Sequence, residues 1–212
     1  MSDVATFDAH PTAAVRAESP LSICRVTVDT QPAAQYAGVV LRERAFLGHL
    51  ILRGNAADET FRAGVEAALG VPLPLKVGPV SRDDARGVSV QWMSPDEWLV
   101  VVPQGEDHAT ELRLRQALKG HYAVMQVGGA QTMLELSGPN AVEVLKKSAG
   151  YDFHPRNFPV GKGISTTVAK STAVIRRVGE AQWELIIRRS FGDYLYRWLL
   201  DASEEFGVFV ER

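Results

Sequence analysis

Only one cysteine, Cys24, occurs in the 212 residues. An internal disulfide and any multi-cysteine metal site are therefore excluded, and a reducing compartment, the cytoplasm, is the expected location. No apolar run approaches the roughly 18 to 20 residues that a membrane span requires. The first 24 residues also lack a basic start followed by an apolar core. Neither sign of charge dominates: 23 Lys and Arg face 25 Asp and Glu, for a net charge of −2. No long-range field then draws nucleic acid or an anionic membrane surface, and neither is an expected partner.

The usual chemical signatures are missing as well. The five histidines, His10, His49, His108, His121 and His154, form no i, i+4 pair and no His-x-x-Glu grouping of a zinc-binding helix. His154 stands two residues after Asp152, but one imidazole and one carboxylate do not make a metal site, and a histidine before Pro155 reads as a loop residue. Cys24 has no base near it in sequence to raise its nucleophilicity, and it reads as buried filler. Pro159-Val160-Gly161-Lys162-Gly163 puts glycine where a phosphate-binding loop needs a magnesium-holding hydroxyl, so it reads as a turn. The spaced glycines of a dinucleotide fingerprint are absent. The residues thus present no catalytic, cofactor-binding or metal-ligating set.

What is present is a well-stocked core, 46% of residues being hydrophobic, and a repeat. Residues 131–200 read as a strand (Thr132 to Leu136), a Ser137-Gly138-Pro139-Asn140 turn, a helix to about Ala149, a hairpin around Thr166 to Ile187 and a second helix. Leu50, Leu52, Gly54, Asn55 and Ala56 answer to Leu134, Leu136, Gly138, Asn140 and Ala141, while Glu97-Trp98-Leu99-Val100-Val101 answers to Trp183-Glu184-Leu185-Ile186-Ile187. Two anchors at offsets of about 85 residues predict an α+β protein of two pseudo-repeated β-α-β-β-α halves with mainly antiparallel sheets. The expected division is an N-terminal arm over 1–24, a first half over 25–120 and a second over 121–212.

In chain order, residues 1–24 mix small and polar residues with Pro11 and Pro20. They read as a loose terminus, or as an arm laid in a partner's groove with Glu18-Ser19-Pro20-Leu21 as its anchor. A strand is expected over Ala45 to Leu52, followed by an amphipathic helix with Phe61, Val65, Ala68 and Leu69 on one face and Gly70 ending it. Val71 to Gly87, with three prolines, reads as a long surface connection. Val88 to Met93 and Trp98 to Val102 read as a hairpin, the second strand apolar throughout and so central in its sheet. A charged helix from Glu106 to Lys119 and a strand over Tyr122 to Val127 lead into the second copy. That copy's last helix places Phe191, Tyr194, Leu195, Trp198, Leu199 and Ala202 in one stripe, with Ser190 as cap. The stripe is a core face, or a core face shared with a partner.

Met133-Leu134-Glu135-Leu136-Ser137-Gly138-Pro139-Asn140-Ala141 resembles the strand-turn-helix of the folate-dependent aminomethyltransferases, the glycine-cleavage T-protein fold. The chain as a whole resembles more closely the gamma subunits of heterotetrameric sarcosine oxidases. This rests on Ser19-Pro20-Leu21, Leu41 to Gly48, Leu52-Arg53-Gly54, Trp92 to Leu99, Asp152-Phe153-His154-Pro155 and Arg188 to Tyr194. The resemblance implies a subunit of a complex that demethylates sarcosine to glycine, giving hydrogen peroxide and, with tetrahydrofolate, methylene-tetrahydrofolate. It implies alpha, beta and delta subunits as partners and FAD, FMN, NAD and tetrahydrofolate held in those chains. Where the aminomethyltransferases carry an acidic pair near the folate, this sequence has Val174-Ile175-Arg176-Arg177. Gln126 falls near a position where the superfamily often has aspartate, and the C-terminal barrel domain of that fold has no counterpart here. The resemblance therefore implies a non-catalytic subunit. An independent folate-binding protein or small transferase, and an assembly chaperone, are the alternatives.

Overall fold

The computed structural model describes residues 17–22 and 32–211. Most of the 1–24 arm, including His10 and Cys24, lies outside the described residues, and with it most of the reading of that arm as a loose terminus or a partner-bound segment. The strands are β1 (Val39–Arg44), β2 (Gly48–Arg53), β3 (Gly78–Asp83), β4 (Val88–Ser94), β5 (Glu97–Val102), β6 (Ala123–Gln126), β7 (Gln131–Ser137), β8 (Lys162–Val168), β9 (Ser171–Gly179), β10 (Gln182–Arg188) and β11 (Val208–Glu211). The helices are α1 (Glu59–Leu69), α2 (Asp107–Ala117), α3 (Ala141–Ser148) and α4 (Gly192–Ser203).

The two halves repeat in full. β2-α1-β3-β4-β5-α2 is followed by β7-α3-β8-β9-β10-α4, and the strands pair in the orders β2-β5-β4-β3 and β7-β10-β9-β8. All of these pairings are antiparallel. α1 and α2 bury the outer face of the first sheet against Leu50, Leu52, Val90, Trp98 and Val100. α3 and α4 do the same for the second against Leu134, Leu136, Ile175, Trp183 and Leu185. Between the two sheets lies a smaller cluster of Leu99, Val101, Met133, Val174 and Ile186. The order of layers is helices, sheet, sheet, helices. β5 is apolar on both faces, as a strand covered on both sides must be.

The halves are not separate in space. β1 precedes β2 in the chain but pairs with β7, and β6 precedes β7 but pairs with β2. Each half's leading strand thus completes the other half's sheet, and a cut at residue 120 follows the chain rather than the sheets. The exchange begins at Ala45-Phe46-Leu47, where Phe46 holds a left-handed φ of 62°. The strand expected over Ala45 to Leu52 accordingly starts only at Gly48. A second join is made where Gly78 and Pro79 of β3 pair with Gly163 and Lys162 of β8, which links both sheets, among the described residues, into one ladder of 11 strands running from β11 to β6.

Local signals explain several boundaries. Asp58 caps α1 by accepting from the amides of Thr60 (2.8 Å) and Phe61 (3.4 Å), and Gly70 leaves the helix at φ 74°. The Val71 to Gly87 connection is not a simple surface loop. Val71 and Leu73 are buried, and Gly78–Asp83 forms β3, whose mixed exposure at the seam of the two halves shows no alternation to read. Its counterpart β8 likewise makes the predicted hairpin a three-stranded meander. Ser190 does not cap α4: Arg189–Phe191 forms a 3-10 turn and the N-cap is Phe191. The buried face of α4 is turned from the predicted stripe toward Leu195, Tyr196, Leu199, Leu200 and Ala202, leaving Phe191 exposed. Trp198 is half-buried and its indole N–H donates to Ser148 Oγ of α3 (3.0 Å).

The fragment Ser19-Pro20-Leu21 docks on this chain. Ser19 Oγ donates to Glu43 (2.6 Å), Leu21 packs on the second core, and Pro20 lies against Gly192, where a Cβ would come within 3.1 Å of the proline ring.

Candidate functional site between the two sheets

The register of β4 with β5 and of β9 with β10 makes residues 85 apart in these strands equivalent. Val90 pairs with Val100 as Ile175 pairs with Leu185; Gln91 with Leu99 as Arg176 with Glu184; Trp92 with Trp98 as Arg177 with Trp183. The two arginines that stand where a catalytic acid was sought therefore correspond to Gln91 and Trp92. Neighbouring strand residues point to opposite faces. Arg176 consequently faces the inter-sheet layer, and Arg177 faces the helices.

Arg176 reaches across to its own equivalent. Its Nε donates to Gln91 Oε1 (2.7 Å) and its Nη1 to Ser89 Oγ (2.8 Å), with Glu184 Oε2 at 3.8 Å. The side chain is 1% exposed. Burial brings its pKa down to about 10, opposed by Glu184, so it stays charged at neutral pH. Gly163 makes room for this contact, since a Cβ there would stand 2.6 Å from Gln91 Oε1. Glu184, also buried, is the anionic centre: its Oε1 meets Arg82 Nη2 at 3.4 Å and Arg44 Nη1 at 3.9 Å. Arg44 in turn pairs with Glu135 (3.2 Å) and Arg82 with Asp84 (2.6 Å). Positive and negative charges alternate, so the cluster is close to neutral within itself.

His49 lies on the same inner face, in register with Val101 and Ser89. Its pKa is lowered to about 4, first by burial and then by the charge of Arg176. The ring is neutral at pH 7, and its Nδ1 donates to Leu47 O (3.0 Å). Among the described residues His49 Nε2, Gln91 Nε2 and Arg176 Nη2 have no hydrogen-bond partner.

On the other face, Arg177 has rebuilt a tryptophan site. In the first half the Trp98 indole N–H donates to Pro74 O (2.7 Å). In the second half Phe158 O, in the segment leading into β8, accepts from Arg177 Nη1 (2.9 Å), and the guanidinium lies 5.4 Å from the Trp183 ring. The Trp183 indole N–H has no partner among the described residues. Arg177 also donates to Glu180 O (2.8 Å) and thereby ties the 158–161 segment to the β9–β10 turn.

The other singled-out residues do not converge here. His154 organises its own loop, its N–H donating to Asp152 Oδ1 (2.9 Å) and its Nδ1 accepting from Arg156 N (3.2 Å). Lys162 opens β8, and Gly161 holds a positive φ of 86° before it. Gln126 sits on the sheet edge and donates to Glu111 (2.6 Å). His108 lies in the first turn of α2 and His121 in the exposed loop after it. Among the described residues no three His, Cys, Asp or Glu side chains cluster as metal ligands.

The space at the Arg176 network is small. The cavity bounded by Arg44, Arg82, Ser89, Val101, Met133 and Glu184 is about 60 Å³. An organic ligand the size of folate needs on the order of 300–1,000 Å³. A ligand of folate's size does not fit that volume, and the Arg176 guanidinium beside it is met by Gln91, Ser89 and Glu184 of this chain. Sequence reading missed Gln91, Ser89 and Glu184. Their one signal is the appearance of polar residues in strands otherwise apolar on both faces.

Two pseudo-repeated α+β halves packed sheet to sheet define the fold class, and it is one that a solved aminomethyltransferase shares. The chain superposes on the glycine cleavage system aminomethyltransferase T from Bartonella henselae with a TM-score of 0.61 at 19% identity, covering 82% of this chain and 48% of that one, which shows the shared fold. More particularly, the chain belongs to the sarcosine oxidase, gamma subunit family, whose profile matches residues 53–205. It is 40% identical over 169 residues to the sarcosine oxidase subunit gamma of Arthrobacter sp, covering 79% of this chain and 81% of that one. It is 35% identical over 192 residues to that of Corynebacterium sp. (strain U-96), covering 90% and 91%. A chain of the solved heterotetrameric sarcosine oxidase from Corynebacterium sp. U-96, in complex with pyrrole 2-carboxylate, matches at a TM-score of 0.80 and 35% identity over 90% of this chain and 96% of that one. No helix among the described residues is long and apolar enough to cross a membrane.

Proposed function

We propose that this chain is a non-catalytic, structural subunit of a heterotetrameric sarcosine oxidase of the cytoplasm. Its partners are the alpha, beta and delta subunits, and FAD, FMN, NAD and tetrahydrofolate are held in those chains. The assembled enzyme demethylates sarcosine oxidatively to glycine, forming hydrogen peroxide and methylene-tetrahydrofolate. The observation that carries the reading is the use of Arg176 and Arg177. At the position where the aminomethyltransferase resemblance seeks a carboxylate, both side chains are cationic and buried, and each donates two or more hydrogen bonds within this fold.

The test is made on the assembled complex. Arg177→Ala, introduced with all partner chains present, leaves turnover of sarcosine within about threefold, equivalent to roughly 0.65 kcal/mol of barrier. The wild-type chain purified alone is colourless, metal-free and inactive on sarcosine. A hundredfold loss of turnover from Arg177→Ala with assembly intact overturns the reading.

A further inference from the structure

We infer that the groove at the β3–β8 seam is a docking surface for an acidic, apolar-bearing segment of a partner subunit, an inference that rests on the subunit reading above. The groove, about 500 Å³, runs across the join of the two halves and is bounded by residues 76–79 on one side and 156–162 on the other. Its rim carries Lys76, Arg156 and Lys162, and among the described residues no carboxylate lines it. Its apolar parts stand in water: Val77 is 61% exposed and Val160 44%, and Leu75 beside them is 55% exposed.

Two features point to a partner rather than to ordinary surface. The first is charge. The chain as a whole is slightly acidic, and most of the arginines described above pair with a carboxylate of this chain. The side chains of Lys76 and Arg156 have no hydrogen bond or ion pair among the described residues, and Lys162 is held by a carbonyl, Asn157 O, and by the faces of Tyr151 (5.4 Å) and Phe158 (5.5 Å). Three cations thus border one groove with no anion to answer them. The second is the walls. Arg177 fixes Phe158 O, Gly161 N donates to Arg177 O (2.8 Å), and Val80 N donates to Gly161 O (2.9 Å), so both sides are hydrogen-bonded into the sheet. A pre-formed groove with exposed valines and unanswered cations is complementary to a segment presenting carboxylates beside apolar side chains.

The experiment co-expresses this chain with its sarcosine oxidase partners, one of them tagged, and measures the stoichiometry of the purified complex by native mass spectrometry at low and high salt. The variants are K76E/R156E, which reverses two exposed charges, and V160D, which tests the apolar wall alone. K119E/K170E, at exposed positions away from the groove, is the control. Soluble yield and the thermal melt of each variant chain report on folding. The expected result is at least tenfold depletion of this chain from complexes carrying K76E/R156E or V160D, with unchanged melts and full retention of the control. Retention of K76E/R156E at wild-type stoichiometry overturns the docking surface while leaving the subunit reading intact. Absence of the wild-type chain from the complex overturns the subunit reading itself. A dimer of this chain that K76E/R156E dissociates, with assembly unaffected, gives the groove to a second copy and overturns the proposal.

Discussion

Replacing Glu184 by leucine, the residue its equivalent Leu99 supplies, isolates the electrostatics of the inter-sheet layer. The shape is tolerated in principle, because the first half packs leucine at the matching place in β5. The charge is not. Arg176 is 1% exposed and would keep only neutral acceptors, Gln91 Oε1 and Ser89 Oγ, while Arg82 and Arg44 retain Asp84 and Glu135. Removing one partner of a buried ion pair and stranding the other costs about 3–5 kcal/mol. For a chain of this length, each kcal/mol moves the melting temperature by roughly 2–4 °C, so a fall of roughly 6–20 °C is expected. Adding Arg176→Gln returns both positions to the first half's residues, leucine and glutamine, and removes the stranded charge. The double variant is therefore expected to be more stable than Glu184→Leu alone, with a coupling of about 1–3 kcal/mol. Urea unfolding of wild type, both single variants and the double variant provides the cycle. A cost for Glu184→Leu below about 1 kcal/mol, the range of exposed pairs, would refute the argument that this carboxylate works in a desolvated layer.

The two equivalent tryptophans should respond unequally. Trp98→Phe leaves Pro74 O buried and unpaired and is expected to cost about 1–3 kcal/mol more than Trp183→Phe, whose indole N–H has no partner to lose; equal urea midpoints would count against it. Gly163→Ala is expected to destabilise by about 1–3 kcal/mol through overpacking against Gln91 and Val80, read from the same unfolding curves. His49 has a native pKa of about 4, below its unfolded value of 6.5, so the unfolded chain binds the proton first as pH falls. The stability it supplies is full above pH 6.5 and is lost as pH falls toward 4. Between pH 7.5 and 5 wild type is expected to lose about 2 kcal/mol more than His49→Met, the residue found at the equivalent Met133. Parallel pH profiles for the two proteins would sink that assignment. Trp198→Asp, which puts a charge at the α3–α4 contact, is expected to abolish folding or assembly, seen as loss of soluble chain on co-expression.

What the sequence determined by itself is what depends on neighbours along the chain. The α1 cap at Asp58 and its stop at Gly70, the apolar run of β5 that had to be central, and the echo of Leu50 and Leu52 in Leu134 and Leu136 are all short-range patterns, and they carried the α+β class and the duplication. The pair Arg176-Arg177 was also legible, because the resemblance implies an acidic pair there and a change of charge can be read without any structure. Tertiary structure alone decided the exchange of β1 and β6, since nothing in a six-residue or four-residue strand says which sheet it will complete. It decided β3 as well, a strand whose alternation is erased by its place at the seam. Above all it decided what Arg176 is for. Gln91, Ser89 and Glu184 lie 85, 87 and 8 positions from it in the chain, and only the packing of one sheet on the other brings a lone glutamine opposite its own duplicated position. There the desolvation of the guanidinium made a partner obligatory.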